Sequence, residues 1–169
     1  MQCKLTKYFI FSIYIILMST SYTASANWRF DGTLIIPPIC QLGHEDPIRV
    51  QFGKIGVRKV DGISFKQKIP YQLDCQGDLG HSWDVKLTFS GILAEFDDKK
   101  STLYTNSPLN NRNLGIQIQK DGEALELNKP FKINTESLPV LEAVPVKREG
   151  TELVGDDFSA TGTLTITFQ

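Results

Sequence analysis

Residues 155–169 read GDDFSATGTLTITFQ. Phe158, Ala160, Gly162, Leu164, Ile166 and Phe168 share one parity, and Ser159, Thr161, Thr163, Thr165 and Thr167 take the other. That is the period of a strand with one apolar and one wet face. A strand running to the last residue has no successor in sequence to pair with. One side of its ladder is therefore filled by an earlier strand or by another molecule, because an unfilled edge invites aggregation.

The same rhythm runs back through the chain. Alternating apolar runs at 29–36, 48–52, 64–75, 83–90, 114–120, 125–127, 143–148 and 158–169 are separated by turn signals, the pattern of an antiparallel sandwich. Asp121-Gly122 between Lys120 and Glu123 predicts a two-residue hairpin with φ > 0 at both central positions. Pro37-Pro38, Pro70, Pro130, Pro139 and Pro145 remove ladder donors, so each marks a strand end, an edge or a bulge. Residues 97–113 read as a long polar loop with a single helical turn, and no segment sustains a 3.6-residue period. The 169 residues are 41% hydrophobic and 22% charged, a composition that suits one packed domain plus an appendage.

The N-terminus has the three parts of a secretory signal: Lys4 and Lys7, an apolar stretch at 8–18, and small residues closing on Ala24-Ser25-Ala26. The apolar stretch is short of the roughly twenty residues that span a bilayer as a helix. Cleavage after Ala26 leaves 143 residues with 16 basic and 19 acidic side chains, a net charge of −3. No basic field gathers nucleic acid, and the basic residues are spread singly along the sequence. Cleavage also removes Cys3 and leaves Cys40 and Cys75, which in an oxidising compartment read as one disulfide. Closing that loop stabilises by about 4 kcal/mol on the chain-entropy account.

Directly after the expected cleavage site comes NWRFDGTLIIPPIC at 27–40. Trp28, Phe30, Gly32, Leu34 and Ile36 share one parity, with Asn27, Arg29, Asp31 and Thr33 on the other. One face of such an arm buries four large side chains at about 1.5–3 kcal/mol each, and Gly32 lets a backbone approach closely. The pattern alone fits equally a first strand of the chain's own sandwich.

A catalytic constellation is missing. Gly53-Lys54-Ile55-Gly56 lacks the spacing and the Lys-Ser/Thr of a phosphate loop. Asp97-Asp98 beside Lys99-Lys100 reads as a solvated charge cluster. There is no GxSxG and no free thiol after cleavage. His44 with Glu45 and Asp46 reads as a polar turn before Pro47, and His81 is isolated. The expectation is no enzyme, no cofactor, no metal and no nucleic-acid partner.

In order, the export signal, the alternating arm before the first cysteine, QLDC at 72–75, VKLTFSG at 85–91 and the FSATGTLTITFQ ending resemble the pilin subunits of bacterial chaperone-usher fimbriae. The arm with Gly32, Pro38 and Cys40 is most similar to the minor tip-fibre and adaptor subunits of P pili. The resemblance implies an all-β, incomplete immunoglobulin-like β-sandwich missing its last strand, with an N-terminal donor-strand extension. The implied boundaries are a signal peptide at 1–26, the extension at 27–38 and the pilin domain at 39–169. It implies a periplasmic chaperone that fills the resulting groove, and an outer-membrane usher that exchanges the chaperone strand for a neighbouring subunit's arm. On this reading Trp28, Phe30, Gly32, Leu34 and Ile36 are the donor side chains. The acceptor wall is Phe158, Ala160, Gly162, Leu164, Ile166 and Phe168, and the chaperone grips the carboxylate of Gln169. Two residues depart from the family pattern: Phe168 stands where tyrosine is usual, and Gly155 is one place early, which suggests a bulge near Asp156. The implied role is a minor or adaptor subunit in fimbria-mediated adhesion at the cell surface. The alternative is a single-domain adhesin with a host-cell receptor, a glycan or a protein. A small secreted enzyme or inhibitor on a complete sandwich is the third reading.

Overall fold

A computed structural model describes residues 26–34, 39–43, 47–77 and 84–168. The chain divides into two units, residues 1–35 and 36–169. In the first, the described residues 26–34 have no secondary structure and are exposed throughout. The strand expected at 29–36 is thus not formed over 29–34. Ile36, Pro37-Pro38 and the expected signal up to Ser25 lie outside the described residues, as do His44, Glu45, Asp46, His81, Trp83 and Gln169.

The second unit is built of short antiparallel strands: β1 (Ile39–Gly43), β2 (Gln67–Lys68), β3 (Gln72–Gln76), β4 (Val85–Gly91), β5 (Thr102–Tyr104), β6 (Leu114–Lys120), β7 (Glu123–Ala124), β8 (Phe131–Lys132), β9 (Leu141–Lys147) and β10 (Gly162–Phe168). They form a pair β1-β3, a sheet β10-β4-β8 and a sheet β2-β9-β6-β5, with β7 beside β6. The only helical element among the described residues is a 3-10 turn at Val57–Lys59.

The inward parity of each strand supplies the core. Phe89 of β4 packs with Leu103 of β5, Ile116 and Ile118 of β6 and Leu141 and Ala143 of β9, while Val85 and the wholly buried Leu87 of β4 cluster with Ile133. The β6–β7 hairpin closes as expected, Asp121 at φ 52° and Gly122 at φ 86°, with Lys120 opposite Glu123. The disulfide joins Cys40 and Cys75, directly opposite partners of β1 and β3 with Cα atoms 4.0 Å apart.

Proline placement explains why this sandwich tolerates so many. Pro70, Pro130 and Pro139 sit between or before strands. Pro145 lies inside β9 opposite Ile116. The Arg148 N–H donates to the Asn113 carbonyl at 2.8 Å, and alternation from that pair turns the Pro145 nitrogen away from β6. On that side β2 has ended, since Phe65 leaves the strand at φ 63°. No ladder bond is lost there.

Several expected strands differ. Residues 48–52 form no ladder, and the run expected at 64–75 is two strands broken around Pro70. The short strand expected at 125–127 sits instead at Glu123–Ala124, while the Leu125 and Leu127 N–H groups bond the Ile118 and Lys100 carbonyls. Within the expected loop at 97–113 lies β5, whose outer side is covered: Ala94 N–H bonds the Thr102 carbonyl and Tyr104 N–H the Ile92 carbonyl. Asp97 is no solvated cluster member. Burial raises its pKa, but hydrogen bonds from the Thr102 and Ser101 hydroxyls and the Ser101 and Lys99 N–H groups hold it below the usual carboxylate range.

The last strand begins at Gly162, not at Phe158, after an isolated bridge between Ser159 and Asn106. The expected bulge near Asp156 is replaced by a loop, because the Asp156 carboxylate accepts from the Ser107 hydroxyl and the Leu109 N–H, each at 2.8 Å. From Gly162 to Phe168 the register with β4 is one to one.

Candidate functional site: an open strand edge above an apolar groove

β10 pairs with β4 on one side and ends its sheet on the other. Which backbone groups face the open side follows from β4. The Val85 carbonyl accepts from Ile133 N–H and the Phe89 carbonyl from Asn128 N–H, so Val85, Leu87 and Phe89 point toward the β8 side. Lys86, Thr88 and Ser90 therefore point at β10, opposite Thr167, Thr165 and Thr163. The N–H and C=O groups of Gly162, Leu164, Ile166 and Phe168 consequently face the open edge, while the Leu164, Ile166 and Phe168 side chains face the core. Among the described residues this edge has no ladder partner.

Below that edge lies a groove of about 640 Å³. Phe158, Ala160, Gly162 and Leu164 form one wall, Ile48, Val50 and Phe52 line the opposite lip, and Phe89, Leu103, Ile116 and Ile118 form the floor. The Phe52 and Phe158 rings meet across it with centroids 6.1 Å apart. Gly162 is glycine for a steric reason, because a Cβ there would collide with the Phe89 ring. Ile166 and Phe168 sit farther along, half-buried over Val85 and Leu87 beside Leu42 and Leu73.

Tyr71 closes one end of this floor. Its hydroxyl donates to the Pro139 carbonyl at 2.6 Å, and burial, with the charge of Asp121, pushes its pKa up to about 12. The other end is pinned by Asp156 and by Asn110, whose amide bonds the Val154 carbonyl and N–H, each at 2.9 Å.

Of the expected donor residues, Trp28, Phe30 and Leu34 are 80%, 90% and 101% exposed. Gly32 has open space around it. Arg29 and Asp31, on the other parity, pair with each other at 2.9 Å. Of the expected acceptor residues, Phe158, Ala160, Gly162 and Leu164 share one wall of the groove, Ile166 and Phe168 sit beyond it and Gln169 lies outside the described residues, whereas the floor and the lip were not singled out from the sequence. The signals for them were present: VKLTFSG places Phe89 on the buried parity, and IRVQF at 48–52 alternates toward the groove. Among the described residues no three metal-ligating side chains converge.

Comparison with known proteins sets the chain in a family. The model of the family described as fimbrial protein matches residues 28–169. The chain belongs to the fimbrial protein family. This fimbrial subunit is 33% identical over 153 residues to the fimbrial-like protein YfcQ of Escherichia coli strain K12, covering 88% of this chain and 91% of that one. It is 30% identical over 139 residues to YfcR of the same strain, covering 79% and 75%. Its fold matches the P pilus rod subunit PapA with a TM-score of 0.59 at 21% identity, covering 85% of this chain and all of that one. The P pilus adaptor subunit PapF matches with a TM-score of 0.54 at 20% identity, covering 80% and 98%. The fold is therefore the immunoglobulin-like pilin fold with its sheets left open, and the family is structural and not enzymatic. As a fimbrial subunit the protein belongs to a surface fimbrium, built with other pilus subunits.

Proposed function

We propose that this fimbrial subunit is exported behind a leader at 1–26 and polymerises by donor-strand exchange. Residues 27–38 serve as the donor extension and 39–169 as the pilin domain. Trp28, Phe30, Leu34 and Ile36 enter a neighbour's groove, with Gly32 at its narrowest point. The subunit's own groove receives a periplasmic chaperone's strand first and, at the usher, a neighbouring arm. The carboxylate of Gln169 anchors the chaperone. The observation carrying this reading is the open edge of β10, whose unpaired backbone groups and half-buried side chains border one apolar groove. Addition of one extended segment satisfies both. Only four alanines follow residue 26, Ala94, Ala124, Ala143 and Ala160, which favours a minor or adaptor subunit over a small-residue-rich shaft pilin.

Thermal unfolding tests it. Residues 38–169 alone should be unstable or aggregate, whereas the same chain with a linker and a copy of 27–37 after Gln169 should melt tens of degrees higher. Equal melting of the two would mean a complete sandwich and would return the single-domain adhesin, with a host-cell receptor, to first place.

A further inference from the structure

The two sides of the groove differ in charge. On the β10 side the residues facing away from the core, Ser159, Thr161, Thr163 and Thr165, are neutral. The opposite lip belongs to the segment 47–59, which carries Arg49, Lys54, Arg58 and Lys59 and no acid. Arg49 lines the groove itself, and Lys54 follows two residues after Phe52, whose ring reaches Phe158. All four cations are exposed, and among the described residues none has an ion-pair partner. The nearest acid in sequence after them, Asp61, is occupied: it accepts from the Ile63 and Ser64 N–H groups and the Ser64 hydroxyl. Counting Glu45 and Asp46, which precede the segment and lie outside the described residues, residues 45–60 keep a net charge of +2. Arg49 thus places a cation on the lip, and Lys54, Arg58 and Lys59 follow in the same segment.

We infer that the groove is tuned for an extended segment of another chain whose outward-facing residues are acidic. This deepens the strand-addition reading and rests on it. A segment lying between β10 and the 47–52 lip turns alternate side chains into the groove and the others outward, past a neutral wall on one side and a cationic one on the other. Complementary charge there selects partners and speeds docking more than it adds affinity. This chain's own arm is a poor match, because its outward residues are Asn27, Arg29, Asp31 and Thr33 and its one carboxylate is already paired with Arg29. The preferred partner is therefore a different subunit.

Three versions of the chain 27–169, each with a linker and a second copy of 27–37 after Gln169, provide the test. One copy is unaltered, one carries Arg29→Asp and Thr33→Asp, and one carries Asp31→Lys and Thr33→Lys. At low salt the acidic copy should melt above the unaltered one and the basic copy below it. A difference of about 5 °C between the extremes is expected, shrinking toward zero in 0.5 M NaCl as screening shortens to about 4 Å. In a background of Arg49→Gln, Lys54→Gln, Arg58→Gln and Lys59→Gln, the order should disappear while all three still melt cooperatively. Equal melting of the three copies, all above the chain without a copy, would overturn the inference and leave strand addition standing. If no copy raises the melting temperature, both fall.

Discussion

β4 and β10 are neighbours of equal length, paired residue for residue, and both alternate apolar with polar side chains. Yet Val85, Leu87 and Phe89 of β4 are buried, whereas Leu164, Ile166 and Phe168 of β10 are only half-covered. The two sequences carry the same instruction, and the difference is supplied by what stands on the far side. β4 has strands on both flanks and β10 has one. Alternation tells which face of a strand turns inward. Whether anything lies there to meet it depends on topology.

Truncation should break the comparison most visibly. Leu87→Ala is expected to cost about 2–5 kcal/mol, since the cavity it leaves is enclosed, measured as a fall in the midpoint of denaturant unfolding. Ile166→Ala should cost about 1 kcal/mol while the edge is open, because part of its surface already faces water. With a strand added, the same substitution should move toward the Leu87 value. A cost for Ile166→Ala that is unchanged by an added strand would show that the two positions differ for some reason other than a missing neighbour.

Amide exchange sharpens the point at the backbone. The N–H groups of Leu164 and Ile166 should exchange fast in the uncomplemented domain and slow by orders of magnitude on strand addition. Those of Thr163 and Thr165, bonded to β4, should change less. Protection should spread to 48–52, where Ile48, Val50 and Phe52 already face the groove without a ladder.

The smallest effect is expected at the two ends. Hydrogen bonds from the Leu109 N–H and then the Ser107 hydroxyl hold Asp156 below the usual carboxylate range. Its contribution to stability is therefore full above about pH 4 and lost as pH falls through the lowered value. Asp156→Asn should make acid unfolding less steep below pH 4. Tyr71, raised to about 12, contributes below about pH 10 and loses its contribution as pH rises toward 12. Tyr71→Phe should flatten that alkaline limb in the same titration of melting temperature.

Much of this was legible in the residues. The parity of 158–168 put Phe158, Ala160 and Leu164 on one wall of the groove, Asp121-Gly122 fixed the only tight hairpin that was expected, and two cysteines gave one bridge. The misreadings share a cause. Ile48, Val50 and Phe52 alternate like a strand because they line a groove, but alternation carries no information on whether a ladder partner is present. β5 and β8 have three and two residues, too short for a period to register. Asp97 looked solvated beside Lys99 and Lys100, since sequence does not reveal that Ser101 and Thr102 fold back onto its carboxylate. The floor residues Leu103 and Ile116 reach the groove only through long-range pairing of β5 with β6.

Pro145 has a consequence beyond its own strand. It leaves one flank of β9 without a donor where β2 has ended, residues 92–94 cover β5, and β8 is two residues long. Among the described seven-residue strands only β10 ends its sheet, while the five-residue β1 and β3 each leave a shorter edge. On the strand-addition reading β10 is thus the unit's long edge for an incoming strand. Units joined at that edge, on the same reading, form a thread, and the N–H that Pro145 lacks keeps the flank of β9 from taking a second strand.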